Sequence, residues 1–225
     1  TTEPEQEGQR RVMLNRAGQQ GVVGLAFKSP SVTDKDMAPM IVLGQILGSG
    51  KNSRFYKQIT DKGLVTSISA SPSKFKYEGL FEIYASLTPG TEHEKVEKLI
   101  VEELEKVKNS GVKEKELKKA KTKLITSRLF SQDGSYATAS GLNEAIAGGD
   151  WTLYTNYGEK IDKVTLEDIK RVANKYLVKQ KSTVGYFIPE GATGGKGLKG
   201  ASAHRHHNGP YHFKKEEAKE EVGGF

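Results

Sequence analysis

Residues 42–68, VLGQILGSGKNSRFYKQITDKGLVTSI, decide the fold of this chain. Apolar residues recur at helical spacing as far as Leu47, and Gly48-Ser49-Gly50 then breaks the run. A second, short helix is expected from Ser53 to Thr60, presenting Phe55, Tyr56 and Ile59. Lys62-Gly63 stops it, and Leu64 to Ser71 reads as a strand. Helix, glycine break, short helix and strand within so few residues imply a sheet with helices laid against it.

Upstream, Arg10 to Arg16 and Gln20 to Lys28 read as a strand pair joined through Asn15 to Gln20. Val23, Leu25 and Phe27 alternate against Val22, Gly24 and Ala26, so the second strand has two different faces. Ser29-Pro30 stops it, and Thr33-Asp34 or Asp36 is placed to cap the first helix. Downstream, Leu80 to Leu87 is a strand, and Thr88-Pro89-Gly90-Thr91 supplies turn and cap chemistry. The following helix aligns Val96, Leu99, Ile100, Leu104 and Val107 and stops at Gly111. Lys113 to Phe130 is helical and resumes through Ala147 after Gln132-Asp133-Gly134; Trp151 to Tyr157 opens a short helix. Thr165 to Asp168 resembles a capping box ahead of another helix, and strand Ser182 to Ile188 ends at Pro189. The expected fold is α+β: a mainly antiparallel sheet of about five strands with helices packed on one face.

Residues 1–9 are polar and read as a linker, 10–190 as the domain, and 191–225 as a Gly-, Lys- and His-rich linker or tail. The final strand closes the domain before that tail, so folding does not need it. No apolar run is long enough for a membrane span, and no signal peptide is visible. The compartment stays open, with a periplasmic or extracytoplasmic setting favoured over others. The chain has no cysteine, which excludes disulfides, thiolate metal sites and cysteine nucleophiles. Its net charge of +7 would permit binding to nucleic acid. Lys and Glu interleave along the helices, however, as on solvated faces, and no aromatic-studded basic motif accompanies them. A basic nucleic-acid-binding domain is therefore the third reading, and no nucleic-acid partner is expected.

Gly48-Ser49-Gly50-Lys51 invites a phosphate-loop reading, but Gln45 and Asn52 stand where that loop needs glycine and a hydroxyl. His93 is the only histidine before the tail. A hydrolytic zinc site needs several ligands converging on one point, so His93 cannot make one. His204, His206, His207 and His212 lie in a segment with nothing to preorganise them. No nucleophile motif for serine catalysis occurs. No catalytic residue, no metal ligand and no cofactor of its own are expected in this chain.

The order GVVGLAFKSPSVTDKD, ILGSGKNSRFYKQITDKGLVTSISAS, the helix after TPGTEHEKV, ELKKAKTKLITSRLF, KVTLEDIKRVANKYL and STVGYFIPE spans roughly Gln9 to Glu190. It resembles the C-terminal-type, non-zinc domain of the insulinase/pitrilysin zinc peptidases, which include the mitochondrial processing peptidases. The resemblance implies a metalloendopeptidase in which two such domains form one half of a chamber and two halves enclose a peptide substrate. Zinc would sit in the partner domain, held by an HxxEH motif this chain lacks. Other family members carry an Arg and a Tyr that steady the substrate carbonyl; the matching positions here fall on Thr60 and on or near Thr66. Neither can supply a guanidinium or a phenol to an oxyanion. Arg54 and Tyr56 match the family's SRxY helix, where packing and inter-domain contacts are expected. The implied role is to shape the chamber and brace the zinc domain. The alternative is a proteolytically inactive structural or assembly subunit of the same fold.

Overall fold

The computed structural model describes residues 6–191. Along the chain run β1 (Arg10–Ala17), β2 (Val22–Ser29), α1 (Met37–Gly48), a π-helical turn (Tyr56–Thr60), β3 (Val65–Pro72) and β4 (Gly79–Leu87). There follow α2 (His93–Ser110), α3 (Glu114–Phe130), α4 (Ser135–Ala147), α5 (Thr152–Thr155), α6 (Tyr157–Asp162), α7 (Leu166–Tyr176) and β5 (Ser182–Glu190). The tail histidines expected to be unordered by any scaffold lie outside the described residues.

The five strands form one sheet in the order β1-β5-β2-β4-β3. Three neighbouring pairs are antiparallel and one, β1 with β5, is parallel. The α+β, mainly antiparallel expectation holds. The first two strands do not pair with each other, however: β5 inserts between them, and β1 becomes an edge. Every residue of β1 is exposed, so RRVMLNRA has no alternation from which its neighbour could have been read. Pro189 does not end β5 either. It pairs with Arg16, beyond the last residue that β5 shares with β2, and a proline is tolerated where a strand has one neighbour only.

The core lies on one side of the sheet. Val23, Leu25 and Phe27 of β2, Phe81, Ile83 and Ala85 of β4, and Val184 of β5 meet Val96, Ile100, Leu104 and Val107 of α2 and Ile169 and Val172 of α7. Each such side chain contributes roughly 1.5–3 kcal/mol by leaving water. Helix α1 approaches differently. A Cβ at Gly44 would lie 2.8 Å from the Ala70 carbonyl oxygen, and one at Gly48 would lie 2.3 Å from the Ala70 nitrogen. The glycines of LGQILG let helix backbone rest almost directly on strand β3.

Local details sharpen the sequence reading. The second short helix begins at Arg54 but widens into a π-helical turn, with Asp61 N bonded to Tyr56 O at 2.8 Å, and it buries Phe55 and Ile59. Gly134, at φ +86°, separates α3 from α4. The helix expected from Trp151 divides at Asn156 into α5 and α6. The α7 box is real: the Thr165 hydroxyl accepts from Asp168 N and the Asp168 carboxylate accepts from Thr165 N, each at 3.1 Å. The turn before α2 ends at Glu92, which makes no side-chain cap bond. Part of the stretch expected as linker is tied down, since Gln6 Nε2 donates to Ser182 O at 2.8 Å and Gln9 Nε2 to Ser182 Oγ at 2.9 Å.

Candidate functional site

Among the described residues, the other face of the sheet carries no helix. Strand residues alternate, so the neighbours of the buried core residues emerge there half-buried or exposed. Across its middle, register aligns Val12, Gly185, Gly24, Tyr84 and Ser69 from β1 to β3. The next row is Leu14, Phe187, Val22, Ser86 and Ser67. Apolar side chains therefore gather on the β1 side and hydroxyls on the β3 side. Val12 is 57% and Tyr84 52% exposed.

Gly24 and Gly185 face each other at the centre and leave bare backbone between Val12 and Tyr84. The fold does not require glycine at either position. Neither has a positive φ; a Cβ on Gly185 would meet nothing within 4 Å, and one on Gly24 only the Gly185 carbonyl at 3.9 Å. A strand glycine often marks a bulge, a bend, or a place where another backbone or a ligand comes close, and no bulge interrupts the register here. The two rows of this floor present bare backbone, apolar side chains and hydroxyls, and the adjoining row on the same face is Arg10, Thr183, Ala26, Glu82 and Ser71.

Of the residues singled out from the sequence, Thr66 borders the β3 end of that floor, while Arg54, Tyr56 and Thr60 lie on and beside the π-helical turn. Thr66 is the extra residue of a β-bulge in β3, where its hydroxyl accepts from Gln20 Nε2 at 2.6 Å and donates to Ser86 O at 3.3 Å. Thr60 ends the π-helical turn with its hydroxyl buried and unpartnered. Arg54 forms a bidentate pair with Glu116, 2.9 Å on each arm, and reaches Gly111 O at 3.3 Å. Burial alone would raise the Glu116 pKa, but Arg54 and Lys113 N outweigh it and hold the carboxyl below its usual range. Arg54 thereby fastens the α2–α3 turn. Tyr56, half-buried beside it, is held at its backbone by Ser53 Oγ at 3.3 Å.

Two polar clusters escaped sequence reasoning. Asp36, placed in sequence as a cap, makes no side-chain cap bond. Its buried carboxylate accepts instead from Arg171 Nη1 at 2.6 Å, Lys175 Nζ at 2.8 Å and Tyr176 Oη at 2.9 Å. Burial pushes its pKa up, and those three donors outweigh it to hold the group at about 2. On the opposite side of the core, Glu97 of α2 accepts from Arg11 of β1 and from the Tyr186 hydroxyl. Burial and that carboxylate push Tyr186 up to about 12. His93, expected on a polar surface, docks beside them: Nε2 donates to Phe187 O at 2.8 Å and the ring lies 5.2 Å from that of Tyr186. Gly21 makes this possible, because a Cβ there would fall 2.9 Å from Nε2. No local signal joins Asp36 to α7 or Glu97 to β1, since each pair is far apart in sequence.

The donor set does not fit a zinc ion. Among the described residues no group of three His, Cys, Asp or Glu is placed to hold a metal, and His93 is spent on a carbonyl.

The sequence profile of the family described as "Peptidase M16 inactive domain" matches residues 1–124. The zinc protease PqqE of Helicobacter pylori is 28% identical over 189 residues, covering 83% of this chain and 43% of the relative. The crystal structure of a protease from Helicobacter pylori superposes with a TM-score of 0.78 at 26% identity, over 83% of this chain and 46% of that one. The inactive peptidase domain of a candidate zinc protease from Bordetella parapertussis gives 0.71 at 25% identity, over 80% of this chain and 98% of that one. The chain thus spans less than half the length of the full-length relatives it matches, and nearly all of an isolated inactive domain.

Proposed function

Because the chain belongs to the peptidase M16 inactive domain family, we propose that it serves a zinc metalloendopeptidase as the domain that shapes the peptide chamber and braces the catalytic zinc domain. Residues 10–190 form the working unit. The partners are the HxxEH-bearing domain and the opposite half of the enzyme, and the substrate is an extended peptide. Zinc, held in the partner domain, would supply the activated water; this chain supplies surface.

The observation that carries the reading is the helix-free sheet face with its glycine floor. A peptide passing over bare backbone approaches closely without displacing a side chain, while Val12, Leu14 and Tyr84 offer apolar contact beside it. A floor of backbone, apolar side chains and hydroxyls fits a wall and not a reaction centre. Tyr56 and Thr66, outside the core, are assigned to contacts with neighbouring domains; Thr60 holds the place of the family's Arg without its chemistry. Zinc-protease relatives favour this reading over the scaffold subunit.

Purified alone, the chain should cleave no unfolded peptide with or without zinc. Joined to its HxxEH-bearing domain it should support chelator-sensitive cleavage, and Gly24→Leu should lower kcat/KM about ten-fold by crowding the floor. Chelator-sensitive cleavage by the chain alone would overturn the proposal, as would full activity of the Gly24→Leu enzyme.

A further inference from the structure

A second concavity lies away from the glycine floor. It opens between the loop before α1, the β3–β4 connection, and the arm made by α3, α4, α5 and α6, with a volume of about 1280 Å³. Its floor is apolar: Ala38 and Ile41 of α1, Leu124 of α3, Leu153 of α5 and Tyr157 of α6 are partly buried there. Phe75 stands at the mouth, 62% exposed, on a connection fastened to Val32 N through its own carbonyl at 2.8 Å.

The rim is cationic. Lys35, Lys74, Lys76, Arg128 and Lys160 line the cleft, and none of them is in a salt bridge with another described residue. Asp34 and Glu144 are the acids lining the cleft without a salt bridge, Asp168 is already paired with Arg171, and Asp150 lies close enough to Lys160 to feel its charge. Arg128 is the most telling group. Its guanidinium lies 4.4 Å from the Tyr154 ring centroid and 5.7 Å from that of Tyr157, and its Nε is buried with no hydrogen-bond acceptor. The guanidinium has no carboxylate partner among the described residues, and an incoming carboxylate would give it a charge-assisted hydrogen bond.

We propose that this cleft docks an acidic peptide segment that carries large apolar side chains. The apolar residues would enter between α1 and α6, with carboxylates meeting Arg128 inside and the lysines along the rim. The five cations sit on four different stretches of chain, so one small anion cannot satisfy them. The volume also exceeds the roughly 300–1,000 Å³ usual for a small-molecule site. A chain with carboxylates spaced along it matches both facts. This site is separate from the sheet floor and needs no zinc, so it stands or falls independently of the peptidase reading.

The test uses the full chain and fluorescence anisotropy of a labelled dodecapeptide with glutamates flanking two phenylalanines. Its glutamine-substituted counterpart and a single-stranded oligodeoxynucleotide of equal charge serve as comparisons. The acidic peptide should bind about ten-fold more tightly than the glutamine form, and less tightly as salt rises. Lys74→Glu/Lys76→Glu, exposed loop changes that leave thermal unfolding unaltered, should weaken it about ten-fold, and Arg128→Gln should weaken it as well. Lys115→Glu/Lys118→Glu, on exposed positions of α3 outside the cleft, should not. Equal binding of acidic and glutamine peptides, no binding of either, survival of binding in the loop variant, or tighter binding of the oligonucleotide through the same lysines would each overturn the proposal.

Discussion

Neighbouring residues of one strand lead to opposite fates on the two faces of this sheet. Tyr186 turns toward α2, where Glu97, Arg11 and His93 hold it, while at Gly185 the outward direction is open and a Cβ there would meet nothing within 4 Å. Leu25 is buried, and Gly24 beside it floors the open face. On the helical face the buried residues of β2, β4 and β5 pack against α2 and α7. On the other face no contact among the described residues calls for glycine at 24 or 185. Substitutions should therefore divide cleanly: stability losses on one face, functional losses with little change in stability on the other.

The largest loss should come from Gly48→Val. Its Cβ would sit 2.3 Å from a backbone nitrogen of β3, which no rotamer relieves. Separating α1 from the sheet should cost about 3 kcal/mol, the upper part of the overpacking range, or prevent folding altogether. Circular dichroism melts would show a lowered Tm. An unchanged Tm would mean that α1 does not seat on β3 as described.

Asp36→Asn comes next. Its carboxylate anchors two cations and a phenol, although the heads of Arg171 and Lys175 remain half-exposed. Loss of the charge should cost about 2 kcal/mol. The native pKa of about 2 lies below the ordinary 3.8, so the stabilisation is complete above about pH 4 and fades as pH falls from 3.8 through 2. Acid unfolding of the parent chain should steepen in that window, and the Asn variant should lose that part of the slope. Two superimposable acid titrations would break the assignment.

These contrasts follow how far the sequence could be read. The helical face was legible because its physics is local: β2 and β4 alternate, α2 carries its apolar stripe at helical spacing, and Thr165 with Asp168 announces the start of α7. Placement of β1 was not legible. An exposed edge strand has no buried partner to impose a pattern, and its pairing with β5 joins opposite ends of the domain. Asp36 misled for a related reason, since a carboxylate before a helix reads as a cap until two cations arrive from α7. The glycine floor was not legible either, because two isolated glycines become a feature only when strand register sets them side by side.

Glu97→Ala probes the seam between the faces at lower cost. It removes the acceptor shared by Arg11 and Tyr186, worth about 1 kcal/mol. The effect should be local: β1 is otherwise exposed, so its amides should exchange with solvent about ten-fold faster while those of β4 keep their protection. Uniformly faster exchange would mean that Glu97 supports the whole core and not just the edge.

Gly185→Val should have the smallest effect on stability, and that smallness tests the open face most directly. Its Cβ would enter free space, and valine suits a strand better than glycine does. Stability should stay level or rise by up to about 1 kcal/mol, because the unfolded chain also loses glycine's freedom. Within the zinc-bearing enzyme the same methyl groups would stand where a peptide backbone is to lie, so KM should rise while Tm does not fall. A destabilised Gly185→Val chain would place a packing contact on this face after all. A stable variant with unaltered KM would leave the floor without a peptide above it.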